Sequence, residues 1–265
     1  MSFNEPAAGM PAWLAQLVAA LIDGQQPGTA DDWARRLQAE LVRLDGEVPF
    51  TVVHDWHART VAPLLEQACA DGSVQRAVGR LHAAALAGRS VTEPEWAAAL
   101  EPALREVYQR AYGYSDAYAV NYANAEVYGT ANGFGEAGTR EYATYYAELA
   151  TGANLRAYAD ANAIANARAC AAAFATADPA AYAESYPYAA VRAYAQALAD
   201  PAGSAAEFGD SGTAAAQRDA HRWAAYHRLA DGLLGSLGRA VVESTRDSGE
   251  DAASSQRRQV STEPD

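Results

Sequence analysis

The sequence contains no lysine; all 20 of its basic residues are arginine. No Schiff-base lysine, pyridoxal phosphate attachment point or P-loop lysine is therefore available. Cysteine is nearly missing too. Cys69 and Cys170 stand far apart and form no Cys-x-x-Cys, so neither a redox motif nor a zinc site is expected, and both thiols read as reduced. Positive charge is in deficit: the formal net charge of -13 argues against sequence-independent nucleic-acid binding, which basic residues drive. No apolar run approaches the roughly 18 residues that a membrane span needs. Residues 1–10 carry Glu5 and no basic stretch, unlike a secretory signal. These absences predict a soluble cytoplasmic protein with no membrane or nucleic-acid partner, no metal and no cofactor.

Catalytic motifs are equally scarce. Gly133-Phe-Gly135-Glu-Ala-Gly138 has the lettering of a dinucleotide fingerprint. It follows a Tyr/Asn/Ala segment where the fingerprint needs an apolar strand, so it reads as a glycine-rich helix connection.

What the chain has in excess is alanine, in alternation. From Ala157 to Ala177 almost every second residue is alanine, and the pattern returns around residues 115–126, 181–184 and 193–200. A period of two is the signature of a strand. Alanine is nevertheless the best helix former, whereas Ala, Asp and Asn are poor in strands. Propensity summed over the window favours helix. Residues four apart then share a face: Tyr158, Asn162, Asn166, Cys170 and Phe174 form one uncharged stripe. Asp160, Ile164 and Arg168 lie on another, and the alanines flank both, where neighbouring helices can come close. Tyr118 and Tyr122 repeat the stripe earlier in the chain.

The rest of the chain reads as amphipathic helices. Trp13, Leu14, Leu17 and Leu21 mark the first, opened by Pro11. Trp33, Leu37 and Leu41 mark the second, with Thr29 as its expected cap and Asp32 as a first-turn acid. Pro63 is expected to kink or divide the third. Thr92 and Glu95 are spaced as a capping box, and the helix they open is expected to reach Tyr128. Thr139 is expected to cap the next helix, Gly152 to weaken it, and Pro187 to disturb a later one. The expected architecture is all-α: a single multi-helix domain over residues 11–244, a flexible N-terminus at 1–10 and a disordered tail at 245–265.

Three functions fit these features. The first is binding of a small aromatic or cationic molecule, or a basic peptide, in a groove lined by Tyr118, Tyr122, Tyr158, Asn162 and Asn166. Tyrosine faces attract cations, and asparagine both donates and accepts. The second is cofactor-independent acid/base catalysis by His54, Asp55 and His57, with Glu141 or Glu148 as further candidates, because imidazoles titrate near neutral pH. The third is self-association into a homo-oligomer through alanine flanks and tyrosine stripes.

Overall fold

The structure, a computed structural model, describes residues 10–112, 114–199, 216–217 and 219–240. Among these every regular element is helical, in the order α1 (Ala12–Asp23), α2 (Pro27–Arg43), α3 (Thr51–Trp56), a π-helical turn (His57–Val61), α4 (Ala62–Ala68), α5 (Gly72–Leu86), α6 (Glu93–Ala111), α7 (Tyr114–Ala131), α8 (Gly135–Thr176), α9 (Pro179–Glu184), α10 (Pro187–Ala199) and α11 (219–240). The all-α expectation therefore holds. Residues 1–9 of the expected flexible N-terminus and the expected tail at 245–265 lie outside the described residues.

Helix boundaries follow local chemistry. The Asp71 carboxylate accepts from the Ser73 amide at the start of α5. Thr92 and Glu95 form the full reciprocal capping box of α6. Asp178 accepts from the amides of Ala180 and Ala181, so α9 starts one residue after α8 has ended on left-handed Ala177.

Several boundaries differ from those expected. α2 starts at Pro27, whose missing N–H costs nothing at a helix start, so Thr29 and Asp32 lie inside it. Pro63 is accommodated by the π-helical turn just before it, which joins α3 and α4 into one continuous path. The capping-box helix stops at Tyr112, which turns to extended backbone (ψ 94°), and the chain restarts as α7. Gly152 does not interrupt α8, a single helix of 42 residues, and Thr139 is buried inside that helix. Pro187 begins α10 in place of disturbing a longer helix.

The core lies among α1–α6, the C-terminal half of α8, and α9–α11. The large residues Trp13, Trp33, Trp56, Trp96, Leu229 and Leu233 are buried there. α11 packs closely on the π-helical turn: Trp56 Nε1 donates to the Leu229 carbonyl at 3.0 Å, and Thr60 occupies the space that a Cβ on Gly232 would fill.

α8 determines the molecule's shape. At 1.5 Å per residue it is about 63 Å long. It runs antiparallel to α6 and α7: Trp96 meets Phe174 at 5.0 Å and Tyr112 meets Tyr158 at 4.7 Å, while Gly129 lies against Thr139 and Asn121 donates to the Thr151 hydroxyl at 2.9 Å. Arg105 Nε also pairs with Asp160 at 2.9 Å, and Asn166 donates to the Tyr108 hydroxyl. Its buried stripe is Thr139, Ala143, Ala147, Thr151, Ala159, Ala163, Ala167 and Ala171, a four-residue spacing with half-buried Leu155 between Thr151 and Ala159. Such a stripe turns by about 40° per step around a 3.6-residue helix, so two partners cover it in succession. α7 lies over the first half and α6 over the second. Only one of the two alanine flanks is used: Ala157, Ala161 and Ala165 face solvent.

The first half of the pairing projects as an arm. α7 packs on α8 and on no other helix to a comparable extent among the described residues. Ala143 and Ala147 are fully buried yet lie outside the main core cluster. The arm's seam consists of small residues, with Gly129 against Thr139 so closely that a Cβ there would come within 3.1 Å of it. A buried methyl contributes about 0.8 kcal/mol, against about 1.5–3 kcal/mol for a Leu side chain. The seam gives close approach more than binding energy.

Candidate functional site

The first cluster of ionisable groups is the one around His54 and His57. Three residues apart on α3 and the π-helical turn, both imidazoles point into the core, where His82 of α5 joins them. His54 Nδ1 and His82 Nδ1 are 2.9 Å apart, so one ring donates and the other accepts. His57 stacks on His82 with centroids 4.5 Å apart and planes 11° from parallel. Trp96 and Phe174 enclose the cluster. Burial lowers the His54 pKa to about 4. Burial, aided by the charge of His54, lowers that of His57 to about 3, and His82 falls in the same direction for the same reasons. All three are neutral at physiological pH.

Asp55, the third expected catalytic residue, points elsewhere. Its carboxylate accepts from Arg59 Nε at 2.6 Å and from Arg239 Nε at 2.8 Å. Burial would raise its pKa, but hydrogen bonds from Arg239, Ser236 and Arg59 outweigh that and lower it. It ties α11 to α3 and does not touch the imidazoles. Glu141 and Glu148 are exposed on the arm. Beside the histidines lies a cavity of about 20 Å³ lined by His57, Gln75, Tyr194 and aliphatic residues, enough for about one water. Such a cluster can pack and hold a proton between rings. As placed, it has no room for a substrate. No group of His, Cys, Asp and Glu among the described residues is placed to hold a metal ion.

The Tyr/Asn set is divided along the long pairing. Asn166 is bonded to Tyr108, and Asn162 donates to the Tyr158 carbonyl on its own helix. Tyr158 lies against Tyr112 at 4.7 Å, and Tyr112 stacks on Tyr108. Tyr118 and Tyr122 stack on each other on α7. Tyr158 and Asn166 thus belong to the junction of α6 and α8, and Tyr118 and Tyr122 to the arm. A cleft of about 690 Å³ lies elsewhere, between the start of α2 and His227 of α11. Its ionisable side chains already have partners beside the cleft: Arg36 and His227 pair with Asp231, and Asp32 with Arg35.

The most distinctive surface is at the arm's far end. Tyr142, Tyr145, Tyr146 and Leu149 are spaced i, i+3, i+4, i+7 on α8 and so share a face. Tyr142 meets Tyr128 of α7 at 5.6 Å, Phe134 of the connecting turn at 5.4 Å, and Tyr146 at 5.9 Å. The turn that presents Phe134 requires glycine on both sides, because Gly133 and Gly135 have φ of 72° and 68°. Tyr145 is 65% exposed, Leu149 63%, Tyr128 53% and Phe134 44%. The result is a continuous aromatic patch open to solvent. Sequence reasoning missed this patch and His82. The signal for the patch was the one i, i+3, i+4, i+7 apolar stripe in a segment otherwise dominated by alanine.

No protein-family model, curated protein or solved structure matches the chain. No helix among the described residues is long and apolar enough to cross a membrane.

Proposed function

We propose that this is a helical binding protein that engages a protein partner through the aromatic face of its arm. The observation that carries the reading is the linked cluster of Tyr128, Phe134, Tyr142 and Tyr146, flanked by exposed Tyr145 and Leu149. Aromatic side chains present about 150–250 Å² each. At the observed exposures the patch therefore offers on the order of 600 Å², near the ~800 Å² per partner of a standard interface. A two-helix arm with a small-residue seam has little reason to hold large aromatic rings outside itself unless they are covered in use. The expected Tyr/Asn groove moves in this reading from the junction of α6 and α8 to the tip of the arm.

Self-association is the second reading, because the same patch could meet its equivalent in another copy. A photo-crosslinking benzoyl-phenylalanine at position 145, in cells that make the protein, tests both. A discrete adduct is expected from position 145, lost with Tyr142→Ser and Leu149→Ser, and none from position 165 on the exposed alanine flank. An adduct of twice the chain mass identifies a second copy. Equal adducts from both positions, or none from 145, would overturn docking at the patch.

A further inference from the structure

Building on docking at the arm, we infer that the partner is a basic amphipathic segment, an Arg- or Lys-bearing helix of about 15 residues. The patch runs from Phe134 to Leu149, about 22 Å of α8, which is the length of such a helix. Its chemistry is apolar in the middle and acidic at the margins. Between residues 121 and 155 the chain carries Glu126, Glu136, Glu141 and Glu148 against a single arginine, Arg140. Arg140 is already paired with Glu136 at 2.8 Å. Glu126, Glu141 and Glu148 are exposed, and their carboxylates make no hydrogen bond or ion pair among the described residues. Glu141 and Glu148 follow one another on the same edge of the aromatic stripe, seven residues apart and so nearly in line along α8. Open tyrosine rings next to unpaired carboxylates accept a cation on the ring face while the carboxylates take its hydrogen bonds. Leu149 and Phe134 supply the apolar contact that the other face of the segment needs.

The other occupants fit less well. A second copy packed antiparallel, related by a twofold axis across α8, would bring Glu141 and Glu148 against their own equivalents, a like-charge contact that opposes pairing. The chain's own C-terminal segment, 241–265, carries six acidic residues against three arginines, so it lacks the required charge.

The test uses the full chain and three labelled 15-residue amphipathic peptides: Leu/Arg, Leu/Gln and Leu/Glu. Binding is read by fluorescence anisotropy at low and high salt. The Leu/Arg peptide is expected to bind at least tenfold more tightly than the other two and to weaken at least tenfold between 0.05 and 0.5 M salt. Tyr145→Ser with Leu149→Ser keeps every charge and is expected to lose at least tenfold in affinity, with the thermal melt unchanged because both side chains are exposed. Glu141→Gln with Glu148→Gln is expected to remove the preference for Leu/Arg over Leu/Gln. Equal binding of Leu/Gln or Leu/Glu, or full binding by the Tyr145/Leu149 variant, would overturn the basic-segment inference. So would a peptide-free dimer in sedimentation equilibrium that dissociates in that variant. If no peptide binds while position 145 still crosslinks, the partner's chemistry is wrong and docking stands; if position 145 gives no adduct either, docking itself fails.

Discussion

At the scale of single residues, the buried imidazoles make the clearest claim. A histidine whose folded pKa lies below its ordinary value of 6.5 takes up protons in the unfolded chain first. Its contribution to stability is full above that value and is lost as pH falls through and below it. With folded values of about 4 for His54 and about 3 for His57, each costs roughly 2 kcal/mol by pH 5, at about 1.4 kcal/mol per pH unit. His82 adds to the loss in the same direction. The urea midpoint should therefore fall steeply between pH 7 and pH 5, and a His57→Leu variant should show a shallower decline. Asp55 works in the same sense but at lower pH. Its carboxyl is held low by arginines, so its contribution is lost only in stronger acid. A stability profile that is flat from pH 7 to pH 5 would mean that the histidines are solvated, and the cluster would then have to be placed differently.

At the scale of elements, the alternating-alanine segments show what the sequence could and could not reveal. Helix over strand was legible from propensity alone, and so was the capping box at Thr92 and Glu95. That alanine flanks would meet neighbouring helices was legible as well. Which flank meets them was not, because the two flanks are chemically identical. The choice between Ala159, Ala163 and Ala167 on one side and Ala157, Ala161 and Ala165 on the other is made by α6 and α7, through Tyr108, Arg105 and Asn121. Pro63 was legible as a disturbance but not as a π-helical turn, since an extra residue in one turn leaves no compositional mark. His54 and His57 were visible as a pair, whereas His82 joins them only through the packing of α5, about 28 residues away in the chain. Leucine scanning separates the flanks. Ala163→Leu should cost about 1–3 kcal/mol, the usual penalty for forcing a large side chain into a filled contact. Ala161→Leu on the exposed flank should change stability by less than about 0.5 kcal/mol. Equal effects at the two positions would mean that α8 is rotated from the placement described.

At the scale of the whole molecule, the division between body and arm has a thermodynamic consequence. Local opening is cheapest where few large apolar groups are buried. In the body, α11 buries Leu229, Leu233 and Leu237 completely. In the arm, α7 is held to α8 mainly by Ala125, Gly129 and the small residues opposite, together with the Asn121–Thr151 hydrogen bond and the Tyr128–Tyr142 ring contact. Separating α7 from α8 exposes mostly methyl groups, while opening α11 exposes the core. Native-state hydrogen exchange should therefore show α7 amides exchanging through a local opening, at a free energy several kcal/mol below that of α11, whose amides should follow global unfolding. A bound basic helix would lie along Tyr142, Tyr145 and Leu149 and against Tyr128 of α7. It would have to bridge both helices of the arm, so saturating Leu/Arg peptide should raise protection in α7 and in residues 139–151 and leave α2 unchanged. If α7 is already as protected as α11 without a partner, arm and body open as one unit, and the arm is not the separable, partner-dependent element described. If the peptide protects α2 and not α7, the cleft beside His227 is the better site.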